Sequence, residues 1–501
     1  MGLLLMLPIA GIAQMIDGIN KFTMPWQNLS HITGIFYNTG LFGGFAALGL
    51  VVCIVMFFLT DSGKWHLKSV AFIALIIPLA IQVYASGSRA SWLSASSAIL
   101  FLLHPIVPKW NILPKQRWLQ YFLALCLLVL FVFFSKHLYD LKKDSADGRI
   151  LIGMVSSGMV KDAPVFGCGI SGFRANYMNR QADYFEKHPD STYQMNADDV
   201  ETPFNEFLKI LVEQGIVGLL LFLYLLYYIF NLRLSASFVS FAFKPLLLFI
   251  LIFGLFSYPF DKLPFVVLFV FFLAILSQEN ANDAKSANFH KLKIWIPVFI
   301  VLFFVSGKIA ENAYCYAKSC RMWNKALVNF ASDKEESLSQ LKKLYPELEN
   351  NPVFLFTYGK ILNMGKHYSE AVTVLEKAVE RQPISTSYIE LGKSYEAKGF
   401  TDKAFACWKR AGLMVPARFT PLYLTMKLYF KNGEYGNAQE CARELLEKKI
   451  KIDNPEIDRM KREAMEILFD DCHPASDAGS PIKKISCNEI NNKLIKSKIY
   501  V

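Results

Sequence analysis

The chain has 501 residues, of which 53% are hydrophobic, and a formal net charge of +11. It is too long for one ordinary domain, and its apolar runs lie before about residue 307, so the composition predicts a membrane part followed by a soluble part. The Lys and Arg residues are scattered rather than aligned on one face. This distribution argues against nucleic-acid binding and favours the basic loops of a membrane protein.

The nine cysteines include no set with the spacing of a zinc site. We therefore predict no metal site and no cofactor. Cys53 and Cys126 lie in apolar runs and are expected to be inert packing residues. Cys472 and Cys487 are a possible disulfide pair if the tail lies outside the cytoplasm.

About nine apolar runs approach the length that a bilayer requires. They cover residues 2–16, 37–59, 68–85, 90–104, 118–136, 209–231, 244–258, 263–278 and 293–308. Several are short, so the count is uncertain by one or two.

Basic residues between the runs predict the orientation. Alternate loops contain Lys64 and Lys68; Lys109, Lys115 and Arg117; Arg233 and Lys244; and Lys285, Lys291 and Lys293. These loops should face the cytoplasm. The opposite, periplasmic side then receives a long polar loop at 137–208, the turns around Arg89 and Asp261, and everything after residue 308.

Chemistry is expected at this outer face. Arg89 ends the sequence Ser86-Gly87-Ser88-Arg89 at the end of a span, where an arginine is costly unless it meets an anion or water. Its planar guanidinium suits phosphate, although an arginine extended towards the interface is the simpler interpretation. Arg149, Arg174 and Arg180 in the long loop are further candidates for an anion site, or else solvated surface charges.

The long loop also contains candidate general bases. Asp198, Asp199, Glu201 and Glu206 cluster before the next span, and His188 precedes them. A solvated acidic rim is the alternative. Gly167, Gly169 and Gly172 lack the strand–helix context of a dinucleotide fingerprint, so we predict a tight turn with a close backbone approach.

After a linker helix at 309–350, amphipathic helices recur with a period of 33–34 residues over 351–470. Tyr358-Gly359 returns as Leu391-Gly392, and Ala371 returns as Ala404 and Ala438. The pattern resembles the tetratricopeptide repeat, an α-solenoid that usually binds protein partners. The tail at 471–501 has no interpretable pattern.

An ordered set of motifs in residues 1–280 resembles the O-antigen ligase superfamily, which comprises O-antigen ligases, O-antigen polymerases and protein O-oligosaccharyltransferases. The motifs are Ile32 to Gly40, Ser88-Arg89, Gly148-Arg149, Pro164 to Gly169, Asn205 to Leu208 and Glu213 to Gly218.

The resemblance implies an all-α, polytopic bundle like that of the membrane-embedded (GT-C) glycosyltransferases, in the bacterial inner membrane. It implies metal-independent, inverting transfer of glycan from undecaprenyl diphosphate to a hydroxyl of lipid A core, glycan or protein. Arg89, with Arg149, would bind the donor diphosphate, while Gly167, Gly169 and Asn205 belong to loop motifs.

The sequence departs from this family in two respects. The family typically has about twelve spans, so we expect that about four N-terminal spans are missing. Family ligases usually place a catalytic histidine before the motif's asparagine, whereas Phe204 precedes Asn205 here. Glu201, Glu206 or His188 is therefore expected to act as the base. A non-catalytic assembly protein, or a transporter, remains an alternative.

Overall fold

The computed structural model describes residues 2–20, 32–59, 65–103, 143–231, 237–283 and 290–469. Within these ranges the secondary structure is helical, with no strand. The predicted span at 118–136, the tail at 471–501, Cys126, Cys472 and Cys487 lie outside the described residues. So do several of the basic residues used for orientation, namely Lys64, Lys109, Lys115, Arg117, Arg233 and Lys285.

The predicted spans within the described ranges all coincide with helices. The helices before residue 284 are α1 (Gly2–Asn20), α2 (Thr39–Phe58), α3 (Trp65–Ala85), α4 (Arg89–Leu103), α5 (Lys143–Asp162), α6 (Gly172–Lys187), α7 (Glu206–Asn231), α8 (Ser237–Phe256) and α9 (Leu263–Asp283). Among the described residues, only α2 and α7 are long and apolar enough to cross a membrane. The multi-pass bundle therefore stays a prediction.

Helix α2 lies at the centre of the apolar core because glycines let its neighbours approach closely. A methyl group added at Gly43 would overlap Ser86, the residue directly after α3, and one added at Gly44 would overlap the Phe253 ring of α8. Most of α2 is accordingly buried against α1, α3, α4 and α8. This packing holds the N-terminal ends of α2 and α4 next to each other.

Helix α7 is broken at Gly215, whose backbone angles (φ 67°, ψ −167°) lie outside the helical region. The segment 164–169 runs beside this break. The Cys168 and Gly169 amides donate to the Val212 and Glu213 carbonyls, each at 2.9 Å. The predicted turn with a close backbone approach is therefore present, and it joins the long loop to the span.

The long loop itself is largely helical. Helices α5 and α6 enclose a second apolar core that includes Leu151, Tyr177 and Phe185. The segment between His188 and Glu206 returns along α6: the Val200 amide contacts Met178 Sδ at 3.3 Å, and the Gln181 side chain donates to the Asp198 carbonyl at 3.1 Å. The loop is thus a folded subdomain.

The chain then continues through α10 (His290–Asn329), a single helix that crosses the predicted boundary at residue 308. The helices that follow are α11 (Lys334–Leu348), α12 (Pro352–Met364), α13 (Tyr368–Arg381), α14 (Ser385–Ala397), α15 (Thr401–Met414), α16 (Thr420–Lys431), α17 (Tyr435–Glu447) and α18 (Pro455–Phe469). The chain divides into two compact units, Met1–Pro421 and Leu422–Val501.

The small residues of the 33–34-residue period lie at helix contacts. A methyl group at Gly359 would overlap Leu375, and one at Gly392 would overlap the Trp408 indole. Ala371 and Ala404 are fully buried. Helices therefore pack in consecutive pairs, α12 with α13 and α14 with α15, as the period predicts. Their assignment to tetratricopeptide repeats stays a prediction.

Candidate active site

The N-terminal ends of α2 and α4 lie next to each other. Asn38 caps α2 by accepting from the Leu41 amide at 2.9 Å, and Ser88 caps α4 by accepting from the Ser91 amide at 3.3 Å. The Ser91 hydroxyl bonds to Ser88 Oγ at 2.7 Å and lies 3.5 Å from the Gly40 carbonyl oxygen. Helix N-termini favour negative charge, so this corner of the bundle is electropositive before any side-chain charge is counted.

Two arginines add full charges to this corner. Arg89 is the first residue of α4. Burial lowers the pKa of Arg149, on α5, and the positive charge of Arg89 lowers it further, so the two guanidinium groups are within electrostatic range. An arginine remains protonated even with a lowered pKa. The pair therefore creates a field suited to an anion with two or more negative oxygens.

Phe204, at the position where family ligases usually have histidine, faces Arg149. The guanidinium lies 5.5 Å from the centre of the Phe204 ring, within the range of a cation–π contact. Phe204 adopts a left-handed backbone conformation, with φ 54°. Such a conformation costs a bulky residue on the order of 1–3 kcal/mol and is found preferentially at functional sites.

Tyr258 completes an aromatic group with Phe204. Their ring centres are 5.2 Å apart in an edge-to-face arrangement. The pKa of Tyr258 is raised, first by burial and then by the negative charges of Asp261 and Glu201. Glu201 therefore lies in the same neighbourhood as Tyr258, Phe204 and Arg149.

Glu201 is the accessible carboxylate of this group. Its side chain is 51% exposed and forms an ion pair with Arg174 at 3.2 Å. An exposed pair of this kind contributes at most about 1 kcal/mol, so it leaves the carboxylate available to solvent or a ligand. Both further candidate arginines form ion pairs within the loop: Arg174 pairs with Glu201, and Arg180 pairs with Asp162.

Glu206 has a different environment. It is 2% exposed, and its carboxylate accepts a hydrogen bond from the Phe260 amide at 2.7 Å. One turn later, Lys209 pairs with Asp261. Both contacts tie the start of α7 to the turn between α8 and α9, and the Phe260 amide holds the Glu206 carboxylate within the bundle.

His188 lies at the opposite end of the loop subdomain. It caps the C-terminus of α6, where its ring stacks on Tyr184 and its Nδ1 contacts the Tyr184 carbonyl at 2.9 Å. Arg174, the partner of Glu201, is near the other end of α6, and the helical rise separates the two by roughly 21 Å. The structure thus brings Arg89, Arg149 and Glu201 into one region and places His188 elsewhere.

The other predicted motif residues, Asn205, Gly167 and Gly169, determine local backbone structure. Asn205 caps α7 by accepting from the Leu208 amide at 3.0 Å. Gly167 and Gly169 have positive φ angles of 69° and 89°, and a side chain at Gly167 would overlap the Glu213 backbone. Asn205 therefore fixes the start of α7 directly after Phe204, and the two glycines let the segment 164–169 approach α7 closely.

Sequence reasoning did not identify Tyr258, Lys209 or Phe260 as part of this region. The turn Pro259-Phe260-Asp261-Lys262 was recognised only as a polar feature of the outer face. A signal was present, because two charged residues in a very short connection between apolar helices require partners. Sequence alone does not say that those partners belong to α7.

Residues 70–223 match a family model described as O-antigen ligase. The resemblance to the O-antigen ligase superfamily is confirmed. The matched segment contains Arg89, Arg149, Glu201 and Asn205. The O-antigen ligase family belongs to the bacterial inner membrane, and its members ligate or polymerise lipid-linked glycans. No curated protein matches the chain.

Proposed function

We propose that this protein transfers or polymerises glycan from an undecaprenyl-diphosphate-linked donor onto a hydroxyl acceptor at the periplasmic face of the inner membrane. The observation that carries the proposal is the convergence of Arg89, Arg149 and two helix N-termini at one corner of the bundle. A diphosphate has the charge and the oxygen spacing to bind there.

The two arginines act on the leaving group. As the acceptor oxygen bonds to the anomeric carbon, the bond from that carbon to the diphosphate oxygen breaks, and its electron pair leaves with undecaprenyl diphosphate. Arg89 and Arg149 stabilise the charge that develops on this oxygen. Charge stabilisation by side chains is compatible with the metal-independent chemistry that the resemblance implies.

Glu201 is our choice for the base that receives the acceptor proton. It is accessible and lies near Tyr258 and Phe204, whose ring faces Arg149. Glu206 is a weaker candidate because its carboxylate is engaged by the Phe260 amide. His188 is weaker still because the length of α6 separates it from Arg174.

The contact between the loop subdomain and α14–α15 supports placing the loop and the C-terminal helices on one side of the membrane. Gln181 of the loop donates to the Met414 carbonyl at 2.7 Å, and Arg410 pairs with Asp183. The basic connections between the spans are expected to face the cytoplasm, so the loop and the C-terminal helices are assigned to the periplasm. The helix pairs after residue 351 are assigned to tetratricopeptide-like repeats.

Deletion of the gene, followed by analysis of surface glycan, tests this proposal. Loss of glycan on lipid A core indicates a ligase, loss of long chains a polymerase, and loss of protein glycans a protein glycosyltransferase. Complementation with Arg89→Ala should fail although the variant accumulates in the membrane. Unchanged glycans in the deletion strain would favour the alternatives of a non-catalytic assembly protein or a transporter.

A further inference from the structure

The loop subdomain and the repeat helices share one buried interface, which we call the loop–repeat interface. Met414 and Val415, at the end of α15, belong to the same apolar core as Leu151, Tyr177 and Phe185 of the loop. Gln181 is fully buried in this core. Its amide nitrogen is shared between the Met414 carbonyl and the Asp198 carbonyl, at 2.7 and 3.1 Å.

Arg410 anchors helix α6 to α15 through its whole guanidinium group. It donates to Asp183 Oδ1 at 2.7 Å, to the Asn179 carbonyl at 2.9 Å and to the Asn179 side chain at 3.3 Å. Its side chain is only 26% exposed. A charge-assisted contact with three acceptors fixes orientation far more strongly than a single surface ion pair.

Asp199 makes the second anchor and lies two residues before Glu201. One carboxylate oxygen accepts from the Ser385 amide at 2.9 Å, and the other pairs with Arg418 at 3.1 Å. Helix α14 begins at Ser385, and its own N-cap residue, Ile384, supplies no side-chain cap. The loop therefore provides the capping group of a repeat helix, while that helix and Arg418 hold the loop segment that leads to Glu201 and Phe204.

We propose that Asp199, Arg418 and Arg410 are positioning residues, through which the repeat helices hold Glu201 and Phe204 in place against Arg149. This inference rests on the proposed function. If the repeat helices have this positioning role, α14 and α15 are part of the enzyme. The face of these helices that contacts the loop is then occupied by the chain itself rather than by an external protein.

The test compares Arg418→Ala, Arg418→Lys and Asp199→Asn in the full-length protein. Lys409→Ala is the matched control, because Lys409 lies on α15, just before Arg418 in the chain, but forms only an exposed pair with Glu186 at 3.6 Å. Transfer is measured in proteoliposomes with undecaprenyl-diphosphate glycan and acceptor extracted from the deletion strain. Hydrogen exchange of residues 198–204 is measured on the same samples.

We expect Arg418→Ala to lower kcat on the order of 10- to 100-fold, because a small displacement of a reacting group has an effect of that size. The KM for the donor should stay unchanged, since Arg89 and Arg149 are untouched. Exchange at 198–204 should be faster. Arg418→Lys should recover part of kcat, and Lys409→Ala should behave as wild type.

If Arg418→Ala does not accumulate, Asp199→Asn gives the same test, because its amide oxygen can still accept from the Ser385 amide while its charge is lost. Wild-type kcat and exchange in every variant that accumulates would overturn the positioning role. Absence of transfer by the wild-type protein would instead overturn the proposed function, and the two failures are therefore distinguishable.

Discussion

Arg149 is the residue whose surroundings most clearly indicate a ligand of high negative charge. Its guanidinium lies over the Phe204 ring and is close enough to Arg89 for the two charges to interact. Two guanidinium groups that repel one another are stabilised by an anion between them. This juxtaposition supports the proposal that Arg89 binds the donor diphosphate together with Arg149.

Arg149→Ala should abolish glycan transfer while the protein still accumulates. Arg149→Lys should be impaired as well, since an ammonium group keeps the charge but loses the planar pair of donors. Surface-glycan analysis of complemented deletion strains measures both effects. Arg180→Ala is the matched control, because Arg180 pairs with Asp162 at the surface of the loop. Full transfer by Arg149→Ala would rule out the diphosphate role.

Substitutions at Glu201 and Glu206 should have different effects: the first should reduce glycan transfer, and the second should reduce the stability of the fold. Glu201→Gln should lose transfer and keep its thermal stability, because its ion pair with Arg174 is exposed. Glu206→Ala should lower the free energy of unfolding by about 1–3 kcal/mol, because the Phe260 amide then lacks an acceptor. Thermal unfolding in detergent and transfer assays on both variants provide the measurement. Normal transfer by Glu201→Gln would exclude it as the base.

The candidate residues predicted from the sequence differ in where the structure places them. Arg89, Arg149 and Glu201 lie in one region, as a shared site requires. Glu206 and His188 were equally plausible from sequence because burial and the length of α6 are invisible there. Tyr258 was missed because its position beside Phe204 depends on a contact between residues 54 positions apart.

The break in helix α7 explains why two positions, Gly215 and Gly167, require glycine. Gly215 occupies a backbone region that is open almost only to glycine, and an added methyl group would overlap the Val165 carbonyl. Gly167, on the facing segment, approaches the Glu213 backbone equally closely. The break therefore couples the loop subdomain directly to a candidate membrane-spanning helix.

Gly215→Ala should destabilise the protein by roughly 1–3 kcal/mol from the backbone strain alone, with a further cost from the overlap. Gly153→Ala is the matched control, because Gly153 lies within helix α5 with nothing near its added methyl group. That change should be stabilising by about 0.5–1 kcal/mol. Equal unfolding temperatures for the two variants in detergent would contradict the close approach.

The helices themselves were predictable because each apolar run has the length and composition of a helix. The turn at Gly167 was predictable because clustered glycines indicate backbone strain. The break in α7 was not, since Gly215 sits in an otherwise continuous helical pattern. Its cause is a segment 46–51 residues earlier in the chain, whose hydrogen bonds replace those lost at the break.

For the whole molecule, the contact of the loop subdomain with α14 and α15 is the largest feature that the sequence did not predict. The repeat period correctly predicted pairs of helices with small residues at their contacts. The resemblance to tetratricopeptide repeats also predicted a docking surface for protein partners. Instead, part of that surface is covered by the loop, because Asp199 and Arg410 form contacts between positions more than 180 residues apart in the sequence.

This contact predicts the membrane topology of both regions together. Alkaline phosphatase fused after Lys318, and separately within the loop at Pro189, should be active at both sites, whereas β-galactosidase at the same sites should be inactive. The reason is that two segments in direct contact lie on one side of the membrane, and the basic connections between the predicted spans predict that this side faces away from the cytoplasm. Opposite results for the two sites would contradict the loop–repeat interface.

We propose that this chain breaks a glycosyl–diphosphate bond and moves the glycan to a hydroxyl group. The most direct measurement uses the purified protein in proteoliposomes with undecaprenyl-diphosphate glycan and acceptor from the deletion strain. We expect free undecaprenyl diphosphate and glycosylated acceptor in equal amounts, and we expect both products to be lost in Arg149→Ala and Glu201→Gln. Product formed equally by wild type and both variants, or no product from a folded wild-type protein, would contradict it.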